Sequence, residues 1–450
     1  METRKLSRRQ MLKLMGMGAA GAVLAACAPQ QPAAPAAAPE ATEAPTATAP
    51  AAEGSAAATK ITMWTYPDDD IFFNASLKDF NAKYPDITLE VVKLDAGDLD
   101  QKLTASLVGG TGAPDIVDLE QGWIGKYAKQ GGFVDLNSLN VQQYAKTYPK
   151  FAWDAGYSAD KSKFYFVYYS TAPAVIHYRR SLFDGAGLSS DPEEVRKLLC
   201  PDWESYIVTG EKISKPDGPW MIDAADAIFY NYHYQNNPSW ITADNKLNID
   251  NKENVAGLAL AKTAREKGLD AKMTSWTPEW QNTFKNTTVA TYLSGDWLQG
   301  LVKVYGGDPT KGDWGMLPLP GKIAAANGGS TLSIPQQSQN KEAAWKYIEY
   351  FSFNIKPQVE MFVLTTCFPG YMPAWDDPVM QEPVEWYGGQ RSRLISVEVA
   401  KNFSDRLYSA YDRTIEEIVG TEIANVLDQG KDSAQALTDA QETAKQQLEL

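Results

Sequence analysis

The chain has 450 residues, a formal charge of −14, 13 Trp and 22 Tyr, but only three Cys and two His. That length supplies two or three domain-sized cores. The acidic balance argues against a phosphate-backbone partner, and the isolated His177 and His233 argue against a histidine-based metal site.

The first 27 residues carry Arg4, Lys5, Arg8, Arg9 and Lys13 against Glu2, so taking their net +4 from −14 leaves −18 on the remainder. Leu14 to Ala26 is an uncharged apolar and glycine run, shorter than the roughly 20 residues a spanning helix needs. Charge followed by a short apolar run is the layout of an export signal. "SRRQMLK" has the form of a twin-arginine motif, and "LAAC", ending at Cys27, that of a lipobox. In a lipobox, small residues admit a peptidase that cuts before the cysteine, whose thiol then carries a lipid. Residues 28 to 58 contain six prolines and fifteen alanines, with no aromatic, valine, isoleucine or leucine. Such a segment cannot bury enough apolar surface to fold. As an extended tether it reaches about 90 Å. The expectation is a lipid anchor at Cys27, a leash, and a globular body outside the membrane.

From residue 60 the chain alternates strand and helix. "KITMWTY" (60–66) alternates apolar and polar residues. "NASLKDFNAKYP" sets Leu77, Phe80 and Tyr84 near helical spacing and stops at Pro85. "ITLEVVKL" (87–94) is a second strand, and "DLDQKLTASLVGG" a helix with Leu99, Leu103 and Leu107 on one face. "PDIVDLE" (114–120) is a third strand and "WIGKYAKQGG" the next helix. This βαβαβα run predicts a parallel sheet covered by helices, with ligands beyond the carboxyl ends of its strands. "KFYFVYY" (163–169) and "AVIHYRR" (174–180) are strand-like with almost no gap, as in a chain passing directly from one sheet into another. "NVAGLALAKTAREKG" (254–268) is a helix capped by Asp250 or Asn251. "VATYLS" (289–294) is a strand ending at Gly295-Asp296-Trp297, "STLSIP" (330–335) another, and "KEAAWKYIEYFSF" (341–353) a helix. The last fifty residues are helical and amphipathic. Cys200 and Cys367 either pair or remain buried thiols.

No GxSxG, HExxH, Walker or GxGxxG pattern is present. "DAGDLD" (95–100) lacks the Gly at position six and Glu at position twelve of a calcium loop, and "YPDDDIFF" suggests a metal no better. Metal, cofactor and catalytic residues are therefore all expected to be none.

Six segments in order, "APDIVDLEQGWIGKYAKQGGFVDL", "AVIHYRRSLFDGAGL", "LSGDWLQG", "WGMLPLPG", "NGGSTLSIPQQSQNKEAAWKYIEYF" and "CFPGYMP", resemble the extracellular solute-binding proteins of ABC sugar importers, the maltose-binding-protein type. The resemblance runs from Lys60 to the C-terminus. It departs from the family at "NTTVATYL" and "CPDWESY", which weakens transfer of a particular sugar rather than of the fold. It implies an α/β, two-lobed periplasmic-binding-protein fold of type II, each lobe a sheet flanked by helices, with three crossing hinge segments. Those crossings fall near 170–174, 314–320 and 353–356. Lobe one is then 59–170 plus 318–353, and lobe two 171–317 plus 354–450. The implied protein is a monomeric, non-enzymatic lipoprotein on the outer face of the cell membrane. It captures a carbohydrate, an oligosaccharide in particular, by hinge closure and delivers it to membrane permease subunits.

A sugar presents apolar C–H faces that pack on aromatic rings and hydroxyls that pair with carboxylates and amides. At the expected strand ends the candidates are Trp64, Tyr66 and Asp68; Glu120, Gln121 and Trp123; Tyr169; and Asp296 and Trp297. Gly329 offers backbone approach, and Tyr371 lies in "PGYMP". Each has a plainer role as a packing or capping residue. Trp276 and Trp280, four apart, form one packed helix face or touch a ligand. The competing reading is an exported glycoside hydrolase with Asp118, Glu120 and Asp296 as its carboxylates. A phosphate-bearing ligand is disfavoured, because the arginine pairs 179–180 and 391/393 do not fall at strand ends.

Overall fold

The computed structural model describes residues 58–236 and 238–449. The expected leader, Cys27 and nearly all of the alanine-proline segment lie outside the described residues.

Strand β1 (Thr59–Thr65) alternates as its sequence requires, with Ile61 and Met63 fully buried. It pairs in parallel with β2 (Ile87–Lys93), Thr59 opposite Ile87, and with β3 (Ile116–Glu120) on its other edge. Helix α1 (Asp70–Lys83) begins four residues before the expected Asn74, because Phe72 and Phe73 both find core positions. It stops at Tyr84, the residue before Pro85, where the α conformation is disfavoured. Helix α2 (Ala96–Gly109) ends on Gly110 at φ 75°, a left-handed cap that suits glycine. Helix α3 (Gln121–Gln130) follows β3 without a loop.

The two expected strands around residue 170 are one strand, β4 (Val167–Arg179), buried along its whole length. Its partners change part-way. Val167 to Pro173 pair with β8 (Ala326–Ser333), and Ser170 and Thr171 also with β9 (Phe368–Pro369). Ala174 to Tyr178 pair with β6 (Val289–Gly295), and Val175 to Arg179 with β7 (Trp314–Pro318). Register shifts at Tyr168/Ser170 and Thr171/Pro173 mark the change. Pro173, which has no N–H to give a ladder, accepts from Asp296 N at 2.9 Å through its carbonyl. Strand β5 (Trp220–Ile222) runs parallel to β6, giving the order β2-β1-β3-β8-β4-β6-β5. The sheet is mixed rather than parallel, because β8 returns antiparallel between β3 and β4.

Apolar burial divides where β4 changes partners. Tyr169 belongs to a cluster with Ile61, Phe72, Leu103, Tyr127, Leu332 and Ile348. Ala174 belongs to one with Phe183, Tyr206, Leu258, Leu317, Val419 and Leu437. A third cluster joins Trp280, Phe284, Tyr292 and Trp314. Helix α4 (Lys252–Glu266) is capped by Asn251, whose side chain accepts from Glu253 N and Asn254 N. Helix α5 (Pro278–Asn286) carries Trp280 and Phe284. Helix α6 (Lys341–Ser352) covers the first cluster, and α7 (Ile355–Thr365) packs on α1. The C-terminal pair α8 (Asp412–Gln429) and α9 (Ser433–Leu448) buries Val419 and Leu437 against the second. Cys200 and Cys367 are free thiols, and Cys200 Sγ donates to Pro318 O at 3.3 Å. No helix among the described residues is long and apolar enough to cross a membrane.

Candidate functional site

Three strands, β1, β3 and β6, end beside the point where β4 changes sheets. Each ends on residues the sequence singled out. Near the end of β1 is Trp64, partly buried, and after it come Tyr66, buried, and Asp68, exposed at φ 74°. Glu120 ends β3, and its backbone N–H donates to Tyr66 Oη at 3.3 Å. Its carboxylate is open to solvent yet walled by protein on most sides. That partial desolvation raises its pKa, and Arg413 of α8 pulls it back.

Beneath this surface lies a carboxyl cluster. Asp118 is fully buried and accepts from Thr65 Oγ1 at 2.7 Å. Tyr169 Oη lies 3.2 Å from both Asp118 oxygens and 3.3 Å from Asp69 Oδ2. Burial, reinforced by the neighbouring carboxyls, holds Asp118 and Asp69 well above the usual carboxylate range.

The β8 segment 327–329 touches both sides. In the orientation that satisfies its neighbours, Gln121 Nε2 donates to Gly328 O and Tyr408 Oη, and Oε1 accepts from Gly328 N, each at 2.9 Å. Trp297 Nε1 donates to Asn327 O at 3.1 Å. Gly328 and Gly329 adopt φ of 122° and 132°, and a Cβ on Gly329 would sit 2.9 Å from Ser170 O. Both the backbone angle and the close approach require glycine there.

The Trp297 ring stacks on Trp276, with centroids 5.7 Å apart and planes at 18°. Trp276 is 59% exposed and sits at φ 71° just before α5. Behind it Trp280 is buried and donates Nε1 to Asp223 Oδ2 at 2.7 Å. The pair is therefore not one packed helix face: Trp280 is core and Trp276 is surface. Trp123 is covered by cations, with Arg413 4.8 Å and Lys126 5.3 Å from its ring centre.

Three expected contact residues lie under the surface rather than on it. Tyr66 and Tyr169 are buried, with hydroxyls engaged as above. Asp296 is fully buried, and both its oxygens lack a hydrogen-bond partner. The Ser396 hydroxyl, likewise unpartnered, faces it outside bonding geometry. Burial raises the Asp296 pKa well above the usual carboxylate range, because a charge there would be desolvated. Tyr371 is half-buried, 6.1 Å from the Tyr148 ring centre, and packs against the first core cluster. Of the three carboxylates a hydrolase would draw on, Asp118 and Asp296 are sealed and only Glu120 meets solvent.

The structure adds Asp69, Tyr408 and Arg413 to the neighbourhood, and of the Trp276–Trp280 pair the sequence singled out it leaves only Trp276 exposed. Nothing local marks Arg413, which arrives from the C-terminal helix. Two surface cavities lie elsewhere. One, of about 530 Å³, is bounded by Gly132, Tyr165 and Lys341, at the opposite strand ends. The other, of about 400 Å³, is bounded by Trp203, Tyr232 and Pro320. Neither combines exposed indoles with a carboxyl cluster.

Residues 65–354 match the family described as bacterial extracellular solute-binding protein. A lactose-binding protein of Rhizobium radiobacter is 26% identical over 382 residues, covering 78% of this chain and 83% of that protein. An arabinooligosaccharide-binding protein of Bacillus subtilis (strain 168) is 27% identical over 323 residues, covering 67% and 71%. Among solved structures, an extracellular solute-binding protein of family 1 superposes with a TM-score of 0.77 at 24% identity, covering 86% of this chain and 99% of that one. The galacto-N-biose/lacto-N-biose I-binding protein of Bifidobacterium longum superposes with a TM-score of 0.72 at 19% identity, covering 89% and 98%. Both likenesses carry the two-lobed α/β fold.

Proposed function

The chain belongs to the bacterial extracellular solute-binding proteins, and from that premise we propose that it captures a carbohydrate, an oligosaccharide in particular, for an ABC importer. The observation that carries this reading is that the segment Asn327–Gly328 joins a stacked indole pair, exposed Trp276 and partly buried Trp297, to Gln121 beside the exposed Glu120. Indole faces suit the C–H face of a pyranose, and carboxylates accept from its hydroxyls. The lactose- and arabinooligosaccharide-binding relatives favour the same class.

The mechanism is binding and closure without covalent chemistry. In our reading two lobes meet where β4 changes partners, with boundaries near 59–170 plus 318–353 and 171–317 plus 354–450. Ligand bridging Glu120, Gln121 and Trp123 on one side and Trp297 and Trp276 on the other stabilises the closed form, because it binds that form better. Trp64, Asp68, Gly329 and Tyr371 complete the rim, while Tyr66, Tyr169 and Asp296 brace the floor from below. Permease subunits receive the loaded form and supply the ATP-driven step. A lipid on Cys27 and the segment that follows hold the monomer to the outer face of the membrane.

A thermal-shift panel of lactose, arabino-oligosaccharides and maltotriose tests the assignment. Ligand at 100 times its dissociation constant stabilises the native state by about 2.7 kcal/mol, a clear rise in melting temperature. A flat response across mono- and oligosaccharides contradicts the carbohydrate assignment.

A further inference from the structure

The carboxyl cluster contains more acceptors than hydrogens. Tyr169 Oη carries one hydrogen, yet it lies 3.2 to 3.3 Å from oxygens of two different carboxyls, Asp118 and Asp69. Thr65 Oγ1 donates to Asp118 only. Asp69 precedes α1, but its carboxyl makes no capping bond to that helix and turns inward instead. If both carboxyls were ionised, one would face the Oη lone pairs with nothing between.

Among the described residues, the surroundings offer no cation to relieve this. From its own segment Asp69 meets Asp68, while Asp70 is taken up by Lys93 at 3.4 Å. From β1 the neighbours are Thr65 and Tyr66, and from β3 Glu120, itself opposed by Arg413. From β4 and β8 they are Tyr169 and Ser330. The Cys367 thiol, just before β9, faces Asp69, Asp118 and Asp296 together.

We propose that Asp69 and Asp118 hold one proton in common at neutral pH, making the floor of the cleft a pH-sensitive element. The shared proton supplies the missing hydrogen: one carboxyl donates to the other or to Tyr169 Oη, and the pair carries a single negative charge. Like charges forced together in a dry site titrate this way. The inference rests on the assignment of the cleft only for its functional meaning: alkalinisation puts a second charge under the ligand site. The sign for stability follows from linkage. A carboxyl whose folded pKa is raised stabilises the fold below its unfolded value, and that contribution is lost as pH rises through the folded value.

Carboxyl-carbon NMR of the aspartate-labelled protein, from about pH 4 to about pH 9, tests the proposal without any ligand. One high-titrating signal disappears in Asp69→Asn and the same signal disappears in Asp118→Asn. Signals from Asp223 and Asp296, also raised by burial, persist in both variants. The thermal stability of the wild type declines as pH rises through that titration, and the decline is shallower in Asp69→Asn, where only the separately buried carboxyls such as Asp223 and Asp296 still contribute. Loss of no high-titrating signal in Asp69→Asn, a variant at a partly buried position, overturns the shared proton. That outcome leaves the carbohydrate reading untouched, just as an unresponsive sugar panel leaves the titration intact.

Discussion

Trp276 combines two features that packing alone does not account for: a large indole 59% exposed, and a left-handed backbone at φ 71°. A bulky residue held there costs of order 1 kcal/mol, and such strain collects at ligand clamps. Because the ring is largely solvated, Trp276→Ala is expected to leave the melting temperature within about a degree while weakening sugar binding roughly tenfold, the worth of one aromatic stacking contact. Calorimetric titration of both proteins with the responding sugar checks this, and equal affinities would remove Trp276 from the site. Arg179 is the opposite case, a residue that matters for folding. Its guanidinium is 2% exposed, donates to Asp313 at 2.7 and 2.9 Å and to Phe284 O, and lies over the Trp314 ring. Asp313→Ala leaves that charge buried without its carboxylate and should cost about 3 kcal/mol in urea unfolding. A loss below about 0.5 kcal/mol would mean the pair is screened as a surface ion pair is.

At the scale of elements, α3 and the segment 405–413 form the contact most sensitive to a single methyl group. A Cβ on Gly125 would lie 2.0 Å from Ser409 O, a distance real atoms do not share. Around it Lys129 Nζ donates to Tyr411 Oη at 2.7 Å, and Arg413 covers Trp123. Tyr408 packs against the first core cluster and Tyr411 against the second, so this contact touches both. Gly125→Val is expected to push the segment away and speed amide exchange across 405–413, read by mass spectrometry; unchanged protection would contradict the close fit. Many elements of the fold, α3 among them, were legible in the chain. The period-two run at 60–66 and the helix ended by Gly131-Gly132 were read from local pattern, as was a cap at Asp250 or Asn251, of which the structure uses Asn251. What local pattern could not supply was direction and distance. Nothing in "STLSIP" says that β8 lies antiparallel between β3 and β4, so the sheet read as parallel. Nothing in "DRTIEEIV" says that Arg413 reaches a tryptophan 290 positions away. For the same reason Tyr169 and Asp296 were read as surface contacts. Strand-end position narrows the candidates, but whether a side chain lies at the surface or beneath it is set by the partners that β4 and β6 acquire on folding.

Over the whole molecule, one strand contributes to three apolar clusters, and the candidate residues gather where its partners change. A single strand crossing between cores is stiff along its length but can bend where register shifts interrupt the ladder, as at Thr171/Pro173. That position suits capture by closure, with binding energy spent on bringing the two sides together rather than on bond cleavage. The sealed state of Asp118 and Asp296 agrees with this, since neither can reach a glycosidic oxygen from where it lies. Isothermal titration with the sugar that responds in the thermal panel, followed by recovery of that sugar, tests the central claim most directly. The account predicts saturable one-to-one heat and a sugar recovered at its original length. Absence of saturable binding, or recovery of shortened sugar, would contradict it.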